Sequence, residues 1–231
     1  MFTKMCCTIK QLITGQRKNS DAPKAGIGYI FISETSRRQL LKRIAAPKNQ
    51  FLVKNPINVS GRYRIHAEDN HAFLFVGRLS LEKGIAEFCK AVHAAHVKGI
   101  VVGDGDIRTE LEAQYPDITF TGWLSKEQIL EQFKKARCIV FPSIWYETFG
   151  LTAYEAEAYG IPVIASDLSA ASEDAAFVYH SQEELETLIR QAAFQDIEAL
   201  SVKTYENFND MGTAAYVDEL LKIYNTELAS E

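Results

Sequence analysis

The sequence predicts an α/β fold, a doubly wound parallel sheet of the Rossmann-like type preceded by an incomplete α/β unit. From His71 onward, short apolar segments rich in β-branched residues alternate with amphipathic segments of helical period. Five apolar segments alternate with helices in this way, which is typical of parallel strands with helices on both faces. The composition agrees, because 47% of the 231 residues are hydrophobic, and no apolar run approaches the ~20 residues of a membrane span.

The front of the chain predicts only part of a domain. Two strands and one helix with clear patterns are too few for a stable α/β domain. Residues 1–56 are therefore interpreted as the remnant of a larger N-terminal domain. The expected elements are a short helix near Ile9–Ile13, a strand over Gly26–Ile32, a helix capped by Ser33 or Thr35 that runs to Arg43, and a strand over Gln50–Lys54.

The rest of the chain divides into a linker and the main domain. Residues 57–70 are polar and lack periodicity, so they are the expected linker, and residues 71–231 form the expected ligand-binding domain with helices at its end. The expected strands are Ala72–Val76, Gly99–Val102, Ile118–Thr121, Cys138–Phe141 and Pro162–Ala165. The expected helices are Leu81–Val97, Asp106–Gln114, Ser125–Ala136, Phe149–Tyr159, Ser181–Ala193, Ile197–Phe208 and Met211–Leu228. The segment before Ser181 has only a weak helical pattern.

The charges are distributed unevenly, although they sum to only −5. Residues 1–65 hold 13 Lys and Arg against 2 acidic residues, a balance of +11, and residues 66–231 hold 12 against 28, a balance of −16. A basic front end suits anionic lipid headgroups or an anionic substrate; a solvated surface, or one covered by further chain, is the alternative. The basic residues form no stripe with interleaved aromatic residues, so no nucleic acid partner is expected.

The N-terminus, the cysteines and the histidines bound the compartment and the metal chemistry. The first ten residues are interrupted by Lys4 and Lys10 and lack the apolar core of a signal peptide. The four cysteines lack the spacing of metal ligands and suit reduced thiols. His93 and His96 share a helix face without a third ligand, so no metal site is expected. The expected location is the cytoplasm, and the basic front end would suit the inner face of the membrane.

The strongest chemical signal lies in F-P-S-I-W-Y-E-T-F-G-L-T-A-Y-E, residues 141–155. Here a strand ends, a loop turns and a helix begins, with Glu147 in the loop and Glu155 about two turns inside the helix. Free backbone N–H groups at a helix start bind anions, and here they belong to Phe149, Gly150 and Leu151. Hydroxyl acceptors on both sides of a phosphate cradle suit a nucleotide diphosphate sugar. Two solvated glutamates near a helix start are the alternative.

Other candidate residues follow other predicted strands, where parallel sheets bind their ligands. Arg78 and Lys83 follow the first strand and suit a diphosphate, although a solvated basic loop would have the same pattern. Gly103 and Gly105 follow the second strand, in a turn that either lets the backbone approach a ligand or simply connects strand and helix. After the third strand, Trp123 and Leu124 are expected either to flank a flat base or to pack against the protein.

Taken in order, these motifs resemble one domain of a known enzyme family. The series G-R-L-S-L-E-K-G, G-D-G, T-G-W-L, P-S-I-W-Y-E-T-F-G-L with Glu155, and G-I-P-V-I-A-S-D is similar to the C-terminal domain of retaining glycosyltransferases with the GT-B fold. The family is the fourth glycosyltransferase family, or glycosyl transferases group 1. The resemblance covers about residues 71–170, and residues 27–56 resemble the end of the family's N-terminal domain.

The resemblance implies a reaction and a set of roles. The family transfers a sugar from a nucleotide diphosphate sugar to a hydroxyl of a carbohydrate or lipid-linked acceptor, with retention at the anomeric carbon. For this chain it implies bacterial surface polysaccharide or glycolipid synthesis, with no cofactor and no bound metal. The implied roles are diphosphate binding by Arg78 and Lys83, sugar binding by Glu147, ribose binding by Glu155, phosphate binding by the amides of Phe149, Gly150 and Leu151, and a place near sugar or base for Gly103, Gly105, Trp123 and Leu124.

Two departures from the family pattern leave an alternative open. Thr148 stands where glycine is common, and only about 60 residues precede the linker, where the family has a much longer domain that holds the acceptor. The alternative is therefore a non-catalytic nucleotide-sugar binding module, or a subunit whose partner supplies the acceptor half. Exposed apolar edges on residues 27–54 would favour a partner subunit or a homo-oligomer.

Overall fold

The structure is a computed structural model that describes residues 28–44, 46–47, 49–57, 59, 61–208 and 212–228. The helix expected near Ile9–Ile13 and the start of the strand expected from Gly26 lie outside these residues. The described part contains a two-stranded parallel sheet at the front and a six-stranded parallel sheet behind it. The fold class predicted from the sequence is confirmed.

All strands run parallel to their neighbours in both sheets. In chain order they are β1 (Tyr29–Phe31), β2 (Gln50–Leu52), β3 (Ala72–Val76), β4 (Lys98–Val102), β5 (Thr119–Phe120), β6 (Ala136–Phe141), β7 (Val163–Ser166) and β8 (Phe177–Tyr179). The small sheet pairs β1 with β2, and the large sheet has the order β5-β4-β3-β6-β7-β8.

Helices alternate with the strands of the large sheet, and further helices lie in the front part and at the end of the described chain. They are α1 (Glu34–Leu41), α2 (Ile85–Ala95), α3 (Arg108–Gln114), α4 (Lys126–Phe133), α5 (Leu151–Ala158), α6 (Gln182–Phe194), α7 (Glu198–Asn207) and α8 (Thr213–Leu228). Short 3-10 helices occur at Ala67–Asp69, Leu81–Lys83 and Ala170–Glu173. None of the described helices combines the length and the apolar character needed to cross a bilayer.

The central strands are buried on both faces, which explains their nearly continuous apolar sequence. In β3, Phe73 and Phe75 pack into the core that contains α2 and α6, and Leu74 packs into the opposite core that contains α5. This alternation follows from the two-residue period of a strand. The two cores fix the sheet between the helix layers, so the loops at its carboxyl edge are held on a rigid base.

Arg137 is a buried charge that joins three parts of the main domain. Its side chain is almost fully buried in β6 and donates only to backbone carbonyl oxygens. The acceptors are the carbonyl oxygens of Glu68, Asn70, Ala192 and Gln195, at 2.5 to 3.0 Å. Every bond is charge-assisted, which offsets part of the desolvation cost of the guanidinium.

Three of the differences from the prediction have identifiable reasons. The helix expected over Leu81–Val97 is a 3-10 turn followed by α2, because Gly84 between them adopts a left-handed conformation with φ of 67°. The helix α5 begins at Leu151 rather than Phe149, because Gly150 is its N-cap with φ of 97°. The strand β8 was not predicted, since its three residues, F-V-Y, are too short to carry a period.

Candidate functional site

The candidate site lies where the strand order of the large sheet reverses. The chain runs outward from β3 to β4 and β5 on one side, and from β6 to β7 and β8 on the other. Loops that leave adjacent strands in opposite directions open a crevice outside their carboxyl ends, and open α/β sheets bind ligands there. Lys83 follows β3 and Glu147 follows β6, so the crevice has a cation on one side and a carboxylate on the other.

Gly84 brings the loop after β3 close to the loop after β6. A Cβ atom on this glycine would lie 1.7 Å from the carbonyl oxygen of Pro142, so no other residue fits there without a shift of the backbone. The amide of Ile144 also donates to the carbonyl oxygen of Glu82 at 3.2 Å. These contacts set Lys83 beside the loop that carries Glu147.

The carboxylate of Glu147 is held by two side chains. The Nζ atom of Lys83 donates to both of its oxygens, at 2.6 Å to Oε1 and 2.8 Å to Oε2. The hydroxyl of Ser143, itself buried, donates to Oε2 at 2.8 Å. Lys83 and Glu147 are both largely shielded from solvent, so this ion pair is screened less than a surface pair.

The backbone of Glu147 is fixed by a third loop, the one after β7. Its amide donates to the carbonyl oxygen of Leu168 at 3.3 Å, and its own carbonyl oxygen accepts from the amide of Ala170 at 2.9 Å. Glu147 thereby forms an isolated parallel bridge with Ser169. Loops from three adjacent strands, β3, β6 and β7, thus meet at this one residue.

A cavity of about 340 Å³ lies in front of the ion pair. Six of the residues predicted for the site line it, namely Arg78, Lys83, Glu147, Phe149, Gly150 and Leu151. Thr152 lines it as well, and the amides of Gly150, Leu151 and Thr152 donate no backbone hydrogen bond to the described residues. The free amides at the start of α5 and its dipole favour an anion in this cavity.

Arg78 lies at the rim of the cavity and is loosely held. Its side chain is 68% exposed, and its Nη2 atom pairs with Oε1 of Glu82 at 2.8 Å. An exposed pair of this kind contributes little to stability, because solvent screens it. A guanidinium in this position is therefore free to leave Glu82 for an anion in the cavity.

Glu155 and the residues after β4 and β5 do not line the cavity around the ion pair. Glu155 lies in the second turn of α5 and is partly buried, and burial raises the pKa of its carboxyl while Lys126 opposes the shift. Trp123 is 76% exposed, so of its two alternatives the one in which it packs against the protein is wrong. Leu124, in contrast, packs partly buried against the core around α5.

Gly103 and Gly105 let the turn after β4 pack closely against the backbone of the loop after β3. A Cβ atom on Gly103 would lie 1.9 Å from the carbonyl oxygen of Gly77, and one on Gly105 would lie 2.2 Å from that of Leu79. The amide of Leu79 donates to the carbonyl oxygen of Asp104 at 2.9 Å. The glycine turn therefore holds the loop that carries Arg78, and its ligand contacts stay a prediction.

Sequence reasoning missed the polar groups that hold Glu147. Ser143 lies four positions before Glu147 in an irregular loop, and such a loop has no sequence signature that would predict the bond between them. The bridge to Ser169 joins residues that are 22 positions apart and depends on the loop after β7. Thr148, which stands where glycine is common, adopts no positive φ, so the loop accommodates it without strain.

A family comparison agrees with the motifs and the site geometry. The model of the family described as glycosyl transferases group 1 matches residues 70–194, which is more than half of the chain. The chain belongs to the glycosyl transferases group 1 family. The matched segment begins just before β3 and ends with α6, so it contains the whole six-stranded sheet of this group 1 chain.

Individual relatives extend the comparison. The chain is 29% identical to an O-antigen chain mannosyltransferase C of Escherichia coli over 148 residues, which are 61% of this chain and 40% of that protein. It is 36% identical to a GDP-mannose-dependent alpha-mannosyltransferase of Mycolicibacterium smegmatis over 93 residues, 40% of this chain and 24% of that protein. The group 1 chain thus matches less than half the length of these curated relatives.

A solved structure shows the same fold. The Anabaena protein HepE, crystallised with UDP and glucose, superimposes with a TM-score of 0.73 at 17% identity, covering 85% of this chain and 62% of that chain. At this identity the likeness concerns the fold alone. Together with the family match it confirms the GT-B resemblance that the sequence motifs indicated.

Proposed function

We propose that this group 1 chain binds a nucleotide diphosphate sugar at the cavity beside Glu147 and takes part in the retaining transfer of the sugar to an acceptor hydroxyl. The observation that carries the proposal is the pairing of Lys83 with Glu147 next to the free amides of α5. A cation and helix amides suit a diphosphate, and a carboxylate suits sugar hydroxyls. One cavity therefore offers both kinds of group that a nucleotide sugar requires.

Transfer breaks the bond between the anomeric carbon and the diphosphate, and negative charge grows on the leaving phosphate. Lys83 and Arg78 are the groups that would stabilise this charge, together with the N-terminus of α5. Arg78 would have to leave Glu82, which costs little because that pair is exposed. The proposal assigns this role to residues of the chain and needs no resident metal ion or cofactor.

The remaining predicted residues have supporting roles in this proposal. Glu147, held in place by Ser143, would accept hydrogen bonds from the donor sugar. Glu155 would accept from the ribose hydroxyls, and the exposed ring of Trp123 together with Leu124 would lie near the base or sugar. Gly103 and Gly105 would act through the loop that they hold.

The relatives favour a role in the synthesis of surface polysaccharide or glycolipid. One relative's name specifies the O-antigen chain, and another's specifies GDP-mannose. We propose a carbohydrate or lipid-linked acceptor on the cytoplasmic side of the membrane, with the basic front end of the chain facing the lipid headgroups. GDP-mannose is the first donor to examine.

Calorimetric titration with UDP, GDP, ADP and their common sugar conjugates tests the proposal. We expect one nucleotide to bind, and the Lys83→Ala variant to bind it ~30- to 100-fold more weakly, because a charge-assisted bond to phosphate is lost. The matched control is Lys90→Ala, which removes an exposed lysine from α2 beyond the cavity.

Equal weakening by both lysine variants would show that overall charge, rather than the site, controls binding. If the unmodified chain bound none of the nucleotides, the proposed function would be wrong for this chain. Once a donor is known, transfer to polysaccharide and lipid-linked acceptors can be measured by release of the nucleotide diphosphate.

A further inference from the structure

The front unit, residues 28–57, contacts the loop that carries Glu147. Ser33 is fully buried, and its hydroxyl donates to the carbonyl oxygen of Thr148 at 2.7 Å, across a separation of 115 positions in the chain. The same hydroxyl accepts from the amide of Ser36 at 3.0 Å and so caps α1. One side chain therefore joins the start of α1 to the residue that follows Glu147.

A second contact ties α1 to the loop after β7. The carboxylate of Glu173 accepts from the amides of Glu34 and Thr35, at 3.2 and 2.6 Å. These amides belong to the first turn of α1, where a negative charge is favoured by the helix dipole. The loop after β7 also holds the backbone of Glu147. The front unit therefore contacts both the residue that follows Glu147 and the loop that pairs with it.

Apolar contacts complete this anchorage. Phe149 is buried in a small cluster with Ile57 and Tyr154, and Ile32 packs against it. The rings of Phe149 and Tyr154 stack with centroids 4.6 Å apart. Phe149 is thus fixed by Ile32 and Ile57 of the front unit and by Tyr154 of α5.

The bond from Ser33 also determines where an amide of the cavity points. A trans peptide is planar, and its C=O and N–H groups point in opposite directions. No cis peptide occurs among the described residues, so the N–H of Phe149 points away from the Thr148 oxygen and from Ser33. Thr148 and Phe149 both line the cavity, and the direction of this amide decides whether it can meet an anion there.

We propose that Ser33 is a positioning residue, which orients the Thr148–Phe149 peptide and through it the anion-binding amides beside Glu147. The front unit would then contribute to donor binding without contacting the phosphate. The effect of Ser33 on the loop stands on the contacts described above, and its effect on ligand affinity rests on the proposed function.

Hydrogen exchange measured on the full chain without ligand tests the positioning. In Ser33→Ala, we expect the hydrogen-bonded amides of Glu147, Ala153 and Ala170 to exchange about tenfold faster, because their bonds adjoin Thr148, whose own bond to Ser33 is lost. In Ser36→Ala, which removes the other half of the α1 capping box, these amides should exchange at the unmodified rate. Ser125→Ala, which removes the same type of cap from α4, is a second control.

Titration with the nucleotide diphosphate that the chain binds gives a second readout. We expect Ser33→Ala to bind it about five- to tenfold more weakly, the two control variants to bind within about twofold of the unmodified chain, and Ser33→Thr to restore binding with its hydroxyl. A purely structural loss would affect Ser33→Ala and Ser36→Ala alike, because both weaken the cap of α1.

The two readouts separate this inference from the proposed function. Unchanged exchange of the amides of Glu147, Ala153 and Ala170 in Ser33→Ala would overturn the positioning role, whatever the ligand results. Faster exchange confined to these residues would support it even if no nucleotide bound to the unmodified chain, an outcome that would overturn only the proposed function. Faster exchange with unchanged nucleotide affinity would restrict Ser33 to holding the loop and would remove its role in binding.

Discussion

Two cavities adjoin the helix α5, and the glutamates on their walls are held in opposite ways. At the start of the helix, Glu147 accepts hydrogen bonds from Lys83 and Ser143. In the last turn, Glu157 is only 6% exposed, lines a second cavity of about 480 Å³ and accepts no hydrogen bond from the described residues. The first carboxylate has a counter-charge in contact, and the second has none.

One of the two lysines that line the second cavity is engaged with a carboxylate other than Glu157. Lys54 pairs with Asp174 at 2.5 Å, and the hydroxyl of Tyr154 donates to the same carboxylate oxygen at 2.9 Å. Burial, together with the charge of Asp174, raises the pKa of Glu157 to about 8, so this side chain holds a proton at neutral pH. The two cavities therefore differ in the state of their glutamates: Glu147 is paired with Lys83 beside free helix amides, whereas Glu157 is protonated.

The pH dependence of stability should give the largest difference between the two glutamates. The folded-state pKa of Glu157, about 8, lies above the ordinary value of 4.5 for a glutamate, so the folded chain keeps a proton that the unfolded chain releases. Stability from this group is complete below pH 4.5 and is lost as the pH rises towards 8. Relative to Glu157→Gln, the unmodified chain should lose about 2–4 kcal/mol of unfolding free energy between pH 5 and pH 9.

Urea denaturation at a series of pH values measures this difference. Glu198→Gln, at an exposed position on α7, is the matched control and should follow the unmodified chain at every pH. Parallel pH curves for Glu157→Gln and the unmodified chain would mean that Glu157 is ionised in the folded state, and the contrast with Glu147 would then disappear.

The same substitution at the paired glutamate should act on ligand binding. Glu147→Gln removes the charge that holds Lys83 and one acceptor for sugar hydroxyls. We expect affinity for the nucleotide sugar to fall roughly thirtyfold, and affinity for the nucleotide diphosphate alone to stay within about twofold. Calorimetric titration of both ligands measures the ratio, with Glu157→Gln as the control. Equal losses for the two ligands would assign Glu147 to the phosphate rather than the sugar.

Glu155, which lies on α5 with Glu157, sharpens the comparison by a smaller effect. Glu155 is partly buried, and its predicted partners are the two ribose hydroxyls. Glu155→Ala should weaken binding of the nucleotide diphosphate about tenfold, and it should have no effect on binding of the 2′,3′-dideoxy nucleotide, which lacks those hydroxyls. Titrating both nucleotides against both proteins forms a double-mutant cycle. A loss that is the same for both would exclude the ribose as the partner of Glu155.

Local patterns in the sequence were enough to predict five of the six strands of the large sheet and the basic residues of the cavity beside Glu147. Apolar runs such as Ala72–Val76 are long enough to show that both faces are covered, and that strand has the predicted bounds. Lys83 was found because parallel strands place their following loops at one edge. The division into residues 1–56, 57–70 and 71–231 stays a prediction.

The partners of the site residues could not be predicted, because they come from distant positions in the chain. The bond from Ser33 to Thr148 and the bonds from α1 to Glu173 join residues more than 100 positions apart. Ser33 was recognised as a helix cap, a local role that gives no indication of its second partner. The burial of Glu157 depends on α7 and on the loop around Asp174, which no period in α5 could indicate.

The four carbonyl acceptors of Arg137 have a consequence for modularity. Two of them, Glu68 and Asn70, lie at the start of the segment that matches the family, and the other two, Ala192 and Gln195, lie at its end. One guanidinium thus holds both ends of the segment side by side. Adjacent ends allow a domain to be transplanted into a loop of another protein or exchanged between relatives. A transplanted segment has to extend from residue 68 to residue 195, since a shorter one would lack the carbonyl oxygens of Glu68 or Gln195 that accept from this arginine.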